Sequence, residues 1–161
     1  MKKIFGLILL GCMFINGVVS AASADDIKVS DAIRFARNEV PRSCRLQSID
    51  KYSDAFGIAF RDFNDFRNYV VYIDKTNGRP LARNMNSTNI VGSTTINVSA
   101  EQITKSAFAR YKNIQGVDIK LEPEGKNNVR YHVMAYNSLY AIDAYYSPST
   151  GVLGKEIIVY K

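Results

Sequence analysis

The chain is constrained most by an internal repetition, because its second half follows the same plan as its first. In each half a serine precedes a short apolar-periodic segment, and segments of alternating polarity follow it. Aligning Gly78 with Gly151 places Tyr72 on Tyr145. A unit of half this length buries too little surface to be stable alone, so the copies should share a core or a continuous sheet. We predict an α+β fold of two tandem repeats, each with one helix packed on an antiparallel sheet of about four strands.

Local signals place the helices. Ser30 is expected to cap a first helix that ends near Pro41, and Ser99 with Gln102 fits a capping box at the start of a second. Alternating apolar residues predict the strands. The apolar run 157–159 predicts a last strand that is largely buried.

The N-terminus has the anatomy of an export signal. Lys2 and Lys3 precede the apolar stretch 4–15, which is too short to span a membrane comfortably, and Ala22-Ser23-Ala24 matches a cleavage site. We expect cleavage after Ala24 and a periplasmic or secreted protein. Lipidation at Cys12, which follows Leu9-Leu10-Gly11, is the alternative.

The predicted organisation is a signal peptide at 1–24, a first repeat at 25–88, a linker at 89–98 and a second repeat at 99–161. The linker is proposed because this part of the chain is rich in Asn, Ser and Thr.

Charge and cysteine content exclude some classes of function. The net charge of +6 includes Lys2 and Lys3 of the signal, and no Lys/Arg cluster marks a nucleic-acid site. Cleavage would leave Cys44 as the sole cysteine, so no internal disulfide is available. Cys44 is expected to be a small buried residue, and a reactive or intermolecular thiol is the alternative.

Catalytic groups are scarce. His132 is the only histidine, and it lies in an alternating strand without a nucleophile motif or phosphate-binding loop nearby. The acidic residues Asp50, Asp54, Asp62 and Asp65 do not have the spacing of a calcium loop. We therefore predict no enzyme activity, no cofactor and no metal site.

Tyrosine is the candidate binding residue, since the chain has ten Tyr and no Trp. Tyr72, Tyr136 and Tyr145 fall on strand positions opposite the main apolar series, so their rings are expected on a sheet face that can contact a protein. The alternative is that they are ordinary β-favouring residues.

The first glycine turn carries a family resemblance. Residues 72–81, with an aromatic–aliphatic–Asp strand end, a glycine turn and a return strand, resemble the PepSY domain. The second copy, 145–153, departs from it by having Ser147-Pro148 where the Asp would stand. The resemblance implies an exported protein that binds and restrains a peptidase. The tandem layout is also similar to that of beta-lactamase inhibitory proteins, which present the concave face of a sheet to an enzyme.

Together these observations favour a non-enzymatic exported protein-binding module, a regulator or inhibitor of a secreted or periplasmic peptidase. A periplasmic protein that binds a peptide or small ligand between the two units is the alternative. The sequence does not indicate the oligomeric state.

Overall fold

The computed structural model describes residues 26–88 and 91–161, so the predicted signal peptide lies outside the described residues. Their helices and strands are, in chain order, α1 (Val29–Arg37), β1 (Arg45–Lys51), β2 (Ala55–Asp62), β3 (Arg67–Asp74), β4 (Pro80–Ser87), α2 (Ala100–Arg110), β5 (Gly116–Glu124), β6 (Asn128–Tyr136), β7 (Tyr140–Tyr146) and β8 (Leu153–Tyr160). No helix in these two ranges is long and apolar enough to cross a membrane.

All eight strands form one antiparallel sheet in the order β1-β2-β3-β4-β8-β7-β6-β5. The fourth strand and the last strand meet at its centre, where Ala82 lies opposite Val159 and Asn86 opposite Lys155. Helix α1 packs on β2 and β3, and α2 packs on β5 and β6. The buried side chains of both helices, including Ala36 and Ala107, belong to one continuous apolar core.

The predicted fold class is therefore wrong. The chain does not form two repeats that each pack a helix on a separate four-stranded sheet, because β4 and β8 hydrogen-bond to each other and make the sheet continuous. The fold is mostly β, with two helices on one sheet. Separate sheets would leave β4 and β8 as edge strands with unpaired backbone N–H and C=O groups, and pairing them removes both edges.

The two helix starts differ in how well local sequence predicted them. At α2, Ser99 Oγ accepts a hydrogen bond from the Gln102 backbone N–H at 3.2 Å and Gln102 Oε1 accepts one from the Ser99 N–H at 2.8 Å, which confirms the capping box. The predicted cap at Ser30 is wrong, since α1 begins after Lys28 without a side-chain cap. The Ile27 N–H donates to the Lys75 carbonyl at 2.7 Å, and this tertiary contact fixes where the chain enters the helix.

Gly78 is required by the turn between β3 and β4. Its φ is +73°, and a Cβ there would lie 2.5 Å from the Phe35 ring of α1. Asp74 shapes the same turn, because its Oδ1 accepts hydrogen bonds from the Thr76 N–H at 2.7 Å and the Thr76 hydroxyl at 2.6 Å.

A buried carboxylate lies at the centre of the fold, between the sheet and the helices. Glu156 of β8 is fully buried and binds Arg83 of β4 at 2.5 Å, Arg110 of α2 at 3.0 Å and the Tyr111 hydroxyl at 2.5 Å. Arg83 also donates to the backbone carbonyl of Glu39, just beyond α1, at 2.8 Å. Glu156 thus links the central strand pair directly to the end of α2, and through Arg83 it also links this pair to the segment that follows α1.

Burial on its own raises the pKa of Glu156, but Arg83, Arg110 and the Tyr111 hydroxyl outweigh it, so the net pKa is lowered. A folded-state pKa below the unfolded one contributes stability above the unfolded pKa, and that stability is lost as the pH falls through the folded pKa.

Replacing Glu156 by Ala should lower the free energy of unfolding by about 2 kcal/mol, because it leaves the partly buried guanidinium groups of Arg83 and Arg110 and the Tyr111 hydroxyl without their carboxylate. It should also weaken the loss of stability on acidification. Urea denaturation at neutral and acidic pH measures both effects. Glu101→Ala is the control, since that carboxylate pairs with Lys105 on the exposed side of α2 and should leave stability unchanged. Equal effects of the two substitutions would contradict the role given to Glu156.

Candidate interaction surface

The sheet has one face under the helices and one face away from them, which we call the open face. In β8, Glu156 and Ile158 point toward the helices and are buried, whereas Val159 is 40% exposed on the open face. The last strand is therefore largely buried, as the run 157–159 predicts, and Val159 is its one exposed residue. A strand at the centre of an eight-stranded sheet exposes an aliphatic side chain because the described residues place no helix over this face.

An uncharged row of side chains crosses the open face. Strand register aligns Tyr72, Ala82, Val159, Ala141 and Tyr136, one from each of five adjacent strands. With neighbouring strands about 4.8 Å apart, the two tyrosines stand roughly 19 Å apart. We call these five residues the central row. Its floor consists of small side chains, and an aromatic ring stands at each end.

A glycine lies beside each end ring of the central row. A Cβ on Gly116 would lie 2.8 Å from the Tyr136 ring, whereas one on Gly57 would lie 2.8 Å from the Tyr52 ring and at an ordinary contact distance of 3.5 Å from the Tyr72 ring. These glycines lie beside Tyr72 and Tyr136 on neighbouring strands. The Tyr136 ring therefore lies against backbone that a side chain at Gly116 would otherwise cover.

A second row runs beside the central row and is largely uncharged in its middle. It contains Val70, Asn84, Ile157, Asp143 and Met134, again in register across five strands. The middle of the open face is thus mainly aliphatic and amide in character, and its charges lie to one side.

Tyr145 belongs to a charged cluster beyond the second row. Its ring stacks on that of His132, with centroids 4.6 Å apart and planes 12° apart, and the Arg130 guanidinium lies 4.1 Å from its centroid. Burial, and next the Asp143 carboxylate, raise the pKa of Tyr145, so its hydroxyl remains a neutral hydrogen-bonding group at physiological pH.

The three sequence-predicted tyrosines lie on the open face, but the structure does not gather them into one cluster. Tyr136 is 48% exposed, while Tyr72 and Tyr145 are half-buried. Tyr72 and Tyr136 end the central row, and Tyr145 lies two rows away. Their role in binding stays a prediction.

Sequence reasoning missed several residues of this surface. It treated His132 as an ordinary sheet residue, although its neighbours Arg130 and Tyr145 form part of the charged cluster. It also overlooked Phe63 and Phe66, which are 48% and 54% exposed in the turn between β2 and β3. The sequence did offer a signal for this exposed aromatic pair, namely two phenylalanines in a short polar turn.

Arg45, Arg61 and Lys155 of the open face form no ion pair within the described residues. They lie at the same end of the sheet as Tyr145, where Arg45 and Arg61 contact the Phe63 ring and Lys155 contacts the Tyr145 ring. Arg130 is paired with Glu122 and Glu124. Arg61 and Lys155 are therefore available for acidic groups on a partner.

The described residues include no cluster of His, Cys, Asp and Glu suited to a metal ion. Of the acidic residues considered in the sequence, Asp62 is buried and accepts a hydrogen bond from Ser43 at 2.5 Å and from the Asn64 N–H at 2.9 Å. Its pKa is lowered, first by the Ser43 hydrogen bond and next by that of Asn64. Asp62 thus has a structural role in its turn.

An open cavity of about 520 Å³ lies beyond the same end of the sheet, between the segment after β4 and the turn joining β7 and β8. Hydroxyl-bearing and small residues form its lining: Thr88, Gly92, Ser147, Ser149, Thr150, Val152 and Gly154. Among the described residues, this lining contains no charged side chain.

Comparison with known proteins gives limited similarity. No family model matches the chain, so the PepSY resemblance stays a prediction. No curated protein matches it. Among solved structures it is similar to a BLIP-like protein from Bacteroides fragilis, with 19% sequence identity and a TM-score of 0.31, over 84% of this chain and 89% of that chain.

Cys44 should be unreactive in the folded protein. It is buried, and its pKa is raised to about 11 by burial, then by Asp62 and Asp65. At neutral pH the nucleophilic thiolate is therefore scarce. We expect a disulfide reagent that absorbs on reaction to modify the mature chain slowly in buffer and rapidly in denaturing urea. Equal rates in the two conditions would show that Cys44 is a functional, accessible thiol.

Proposed function

We propose that this protein is an exported, non-enzymatic binding module that contacts a protein partner through its open face. The observation that carries the proposal is the exposure of Val159, in a central strand, within the uncharged central row. The described elements leave this row uncovered.

The chemical character of the open face supports a protein partner. An antiparallel sheet with one solvated face normally presents polar residues there. Here the middle of the face combines Val159, Ile157 and Met134 with the tyrosines at its margins. Apolar area with amphipathic aromatic residues around it is typical of protein contact surfaces, because tyrosine offers a large contact area for little rotamer entropy.

The geometry also suggests what the partner presents. The space between Tyr72 and Tyr136 is wide enough for a loop or one turn of helix, whose diameter with side chains is about 10–12 Å. Arg61 and Lys155 favour acidic groups on the side of the partner that meets Tyr145. We therefore propose an apolar protrusion flanked by carboxylates.

A secreted or periplasmic peptidase is the partner class that we propose. The support comes from the sequence, namely the signal at 1–24 and the PepSY-like segment 72–81, together with the division into segments 25–88, 89–98 and 99–161. Binding that restrains the peptidase would require no catalytic group on this chain.

The mature protein should reduce the activity of a co-secreted peptidase in a titration that ends near one equivalent. Tyr136→Ala and Val159→Asp should each weaken the complex about 10-fold or more, because one removes a ring at the end of the central row and the other places a charge on its floor. Inhibition constants for each variant provide the measurement.

Phe108→Ala is the matched control. Phe108 is 52% exposed on α2 and therefore lies away from the open face, so its removal should leave inhibition unchanged. Thermal unfolding should first establish that all variants are folded. If Phe108→Ala weakens the complex as much as Tyr136→Ala, binding does not use the open face. If the wild type inhibits none of the co-secreted peptidases, a peptidase is not the partner.

The cavity at the end of the sheet favours a second function, binding of a small neutral ligand. Its volume is within the range of ligand sites, and its hydroxyl-rich lining suits a polyol or a peptide backbone better than an ion.

A ligand of this cavity should raise the melting temperature of the mature protein, since binding to the folded state alone adds to stability. A thermal-shift screen of sugars and short peptides measures this. Ser149→Val should abolish the shift, because it replaces a lining hydroxyl with methyl groups, while Thr104→Val on exposed α2 is the control. A shift that persists in Ser149→Val would place the ligand elsewhere.

A further inference from the structure

His132 has a carboxylate at each of its two ring nitrogens. Nδ1 lies 2.7 Å from Glu122 Oε1, and Nε2 lies 2.9 Å from Asp143 Oδ1. The His132 side chain is 13% exposed, whereas those of Glu122 and Asp143 are 33% and 50% exposed, so the ring is the buried member of the three. Glu122 belongs to β5, His132 to β6 and Asp143 to β7, which means that the three side chains join three adjacent strands across the open face.

This geometry restricts the protonation state of the ring. A neutral imidazole has one N–H donor and one acceptor nitrogen, and an ionised carboxylate can only accept. With a neutral ring, one nitrogen lone pair would face a carboxylate oxygen at hydrogen-bond distance. Only the doubly protonated imidazolium donates to both Glu122 and Asp143.

We infer that His132 is held as an imidazolium between Glu122 and Asp143, and that this cation positions Tyr145 on the open face. The His132 and Tyr145 rings are nearly parallel, and an aromatic face attracts a neighbouring cation. Arg130, at 4.1 Å from the same ring, adds a second positive group. The inference rests on the proposed function in one respect, that Tyr145 contacts the partner.

The charges around His132 balance this assignment. On β5 the ring faces Glu122, with Lys120 directly opposite in register, and on β7 it faces Asp143. Arg130 of β6 is paired with Glu122 and Glu124, and Lys155 of β8 lies 5.5 Å from the Tyr145 ring. Asp118 pairs with Lys120, so four carboxylates (Asp118, Glu122, Glu124 and Asp143) match the four positive groups Lys120, Arg130, His132 and Lys155.

Loss of the His132 proton would rearrange the cluster. One of the two carboxylate contacts would become repulsive, so either Glu122 or Asp143 would have to move away from the ring. Tyr145 would then lose a cationic neighbour and its fixed stacking partner. Raising the pH is therefore expected to loosen Tyr145 together with the link across β5, β6 and β7.

The test uses nitrogen NMR on the free mature protein, with a purification tag that contains no histidine. Because His132 is the only histidine, its two ring nitrogens give the only imidazole signals. At neutral pH we expect both nitrogens to resonate as protonated. On raising the pH, the Tyr145 ring-proton signals, assigned by their loss in Tyr145→Phe, should shift together with the His132 titration.

Variants identify the carboxylates responsible. Glu122→Gln and Asp143→Asn should each let the imidazolium lose its proton at lower pH than in the wild type, since each removes one negative charge at hydrogen-bond distance. Asp118→Asn is the matched control, because Asp118 is on the same face of β5 but pairs with Lys120. It should leave the His132 titration unchanged.

The inference is overturned if one ring nitrogen of the wild type is unprotonated at neutral pH, which shows a neutral tautomer. It is also overturned if the Tyr145 signals do not follow the His132 titration. The wild-type measurement stands even if a variant does not fold. Because no partner is present, the result is independent of whether the protein binds a peptidase.

Discussion

The pairing of β4 with β8, joined from the helix side by Glu156, is the constraint on which the rest of the structure depends. It makes one sheet from strands that are far apart in the sequence, and it places a buried carboxylate where both helices end. Two guanidinium groups and the Tyr111 hydroxyl compensate for the cost of burying that charge. The position of α1 relative to α2 follows from this contact, because Arg83 and Arg110 approach Glu156 from opposite halves.

The same strand pair gives the two faces of the sheet different chemistry. On the helix side, β8 contributes Glu156 to a closed polar network, and Ile158 extends the apolar core. On the open side, it contributes Ile157 and Val159 to the uncharged middle of the face. A sheet with an uncovered apolar middle and charges to one side is suited to contact another protein.

The sequence predicted features that depend on near neighbours. The capping box of Ser99 and Gln102 involves residues three positions apart, and strand alternation follows from the pleat of a single segment. The continuous sheet was expected only as one of two ways to join the repeats, because pairing of β4 with β8 leaves no local signature that would select it. The exposure of Val159 was missed because a run of apolar residues has the same appearance in a buried strand and in one that presents an apolar open face. The cap at Ser30 failed because a tertiary hydrogen bond from Ile27 determined the start of α1.

The strand order has a consequence for how the chain acquires its fold. The partner of β4 is β8, so during synthesis the edge of β4 stays unpaired until β8 has been made. Contacts between such distant segments close large loops, and they are typical of slow-folding chains. During that interval β4 can pair with a strand of another molecule, so a chain that lacks β8 would be prone to aggregation or strand exchange.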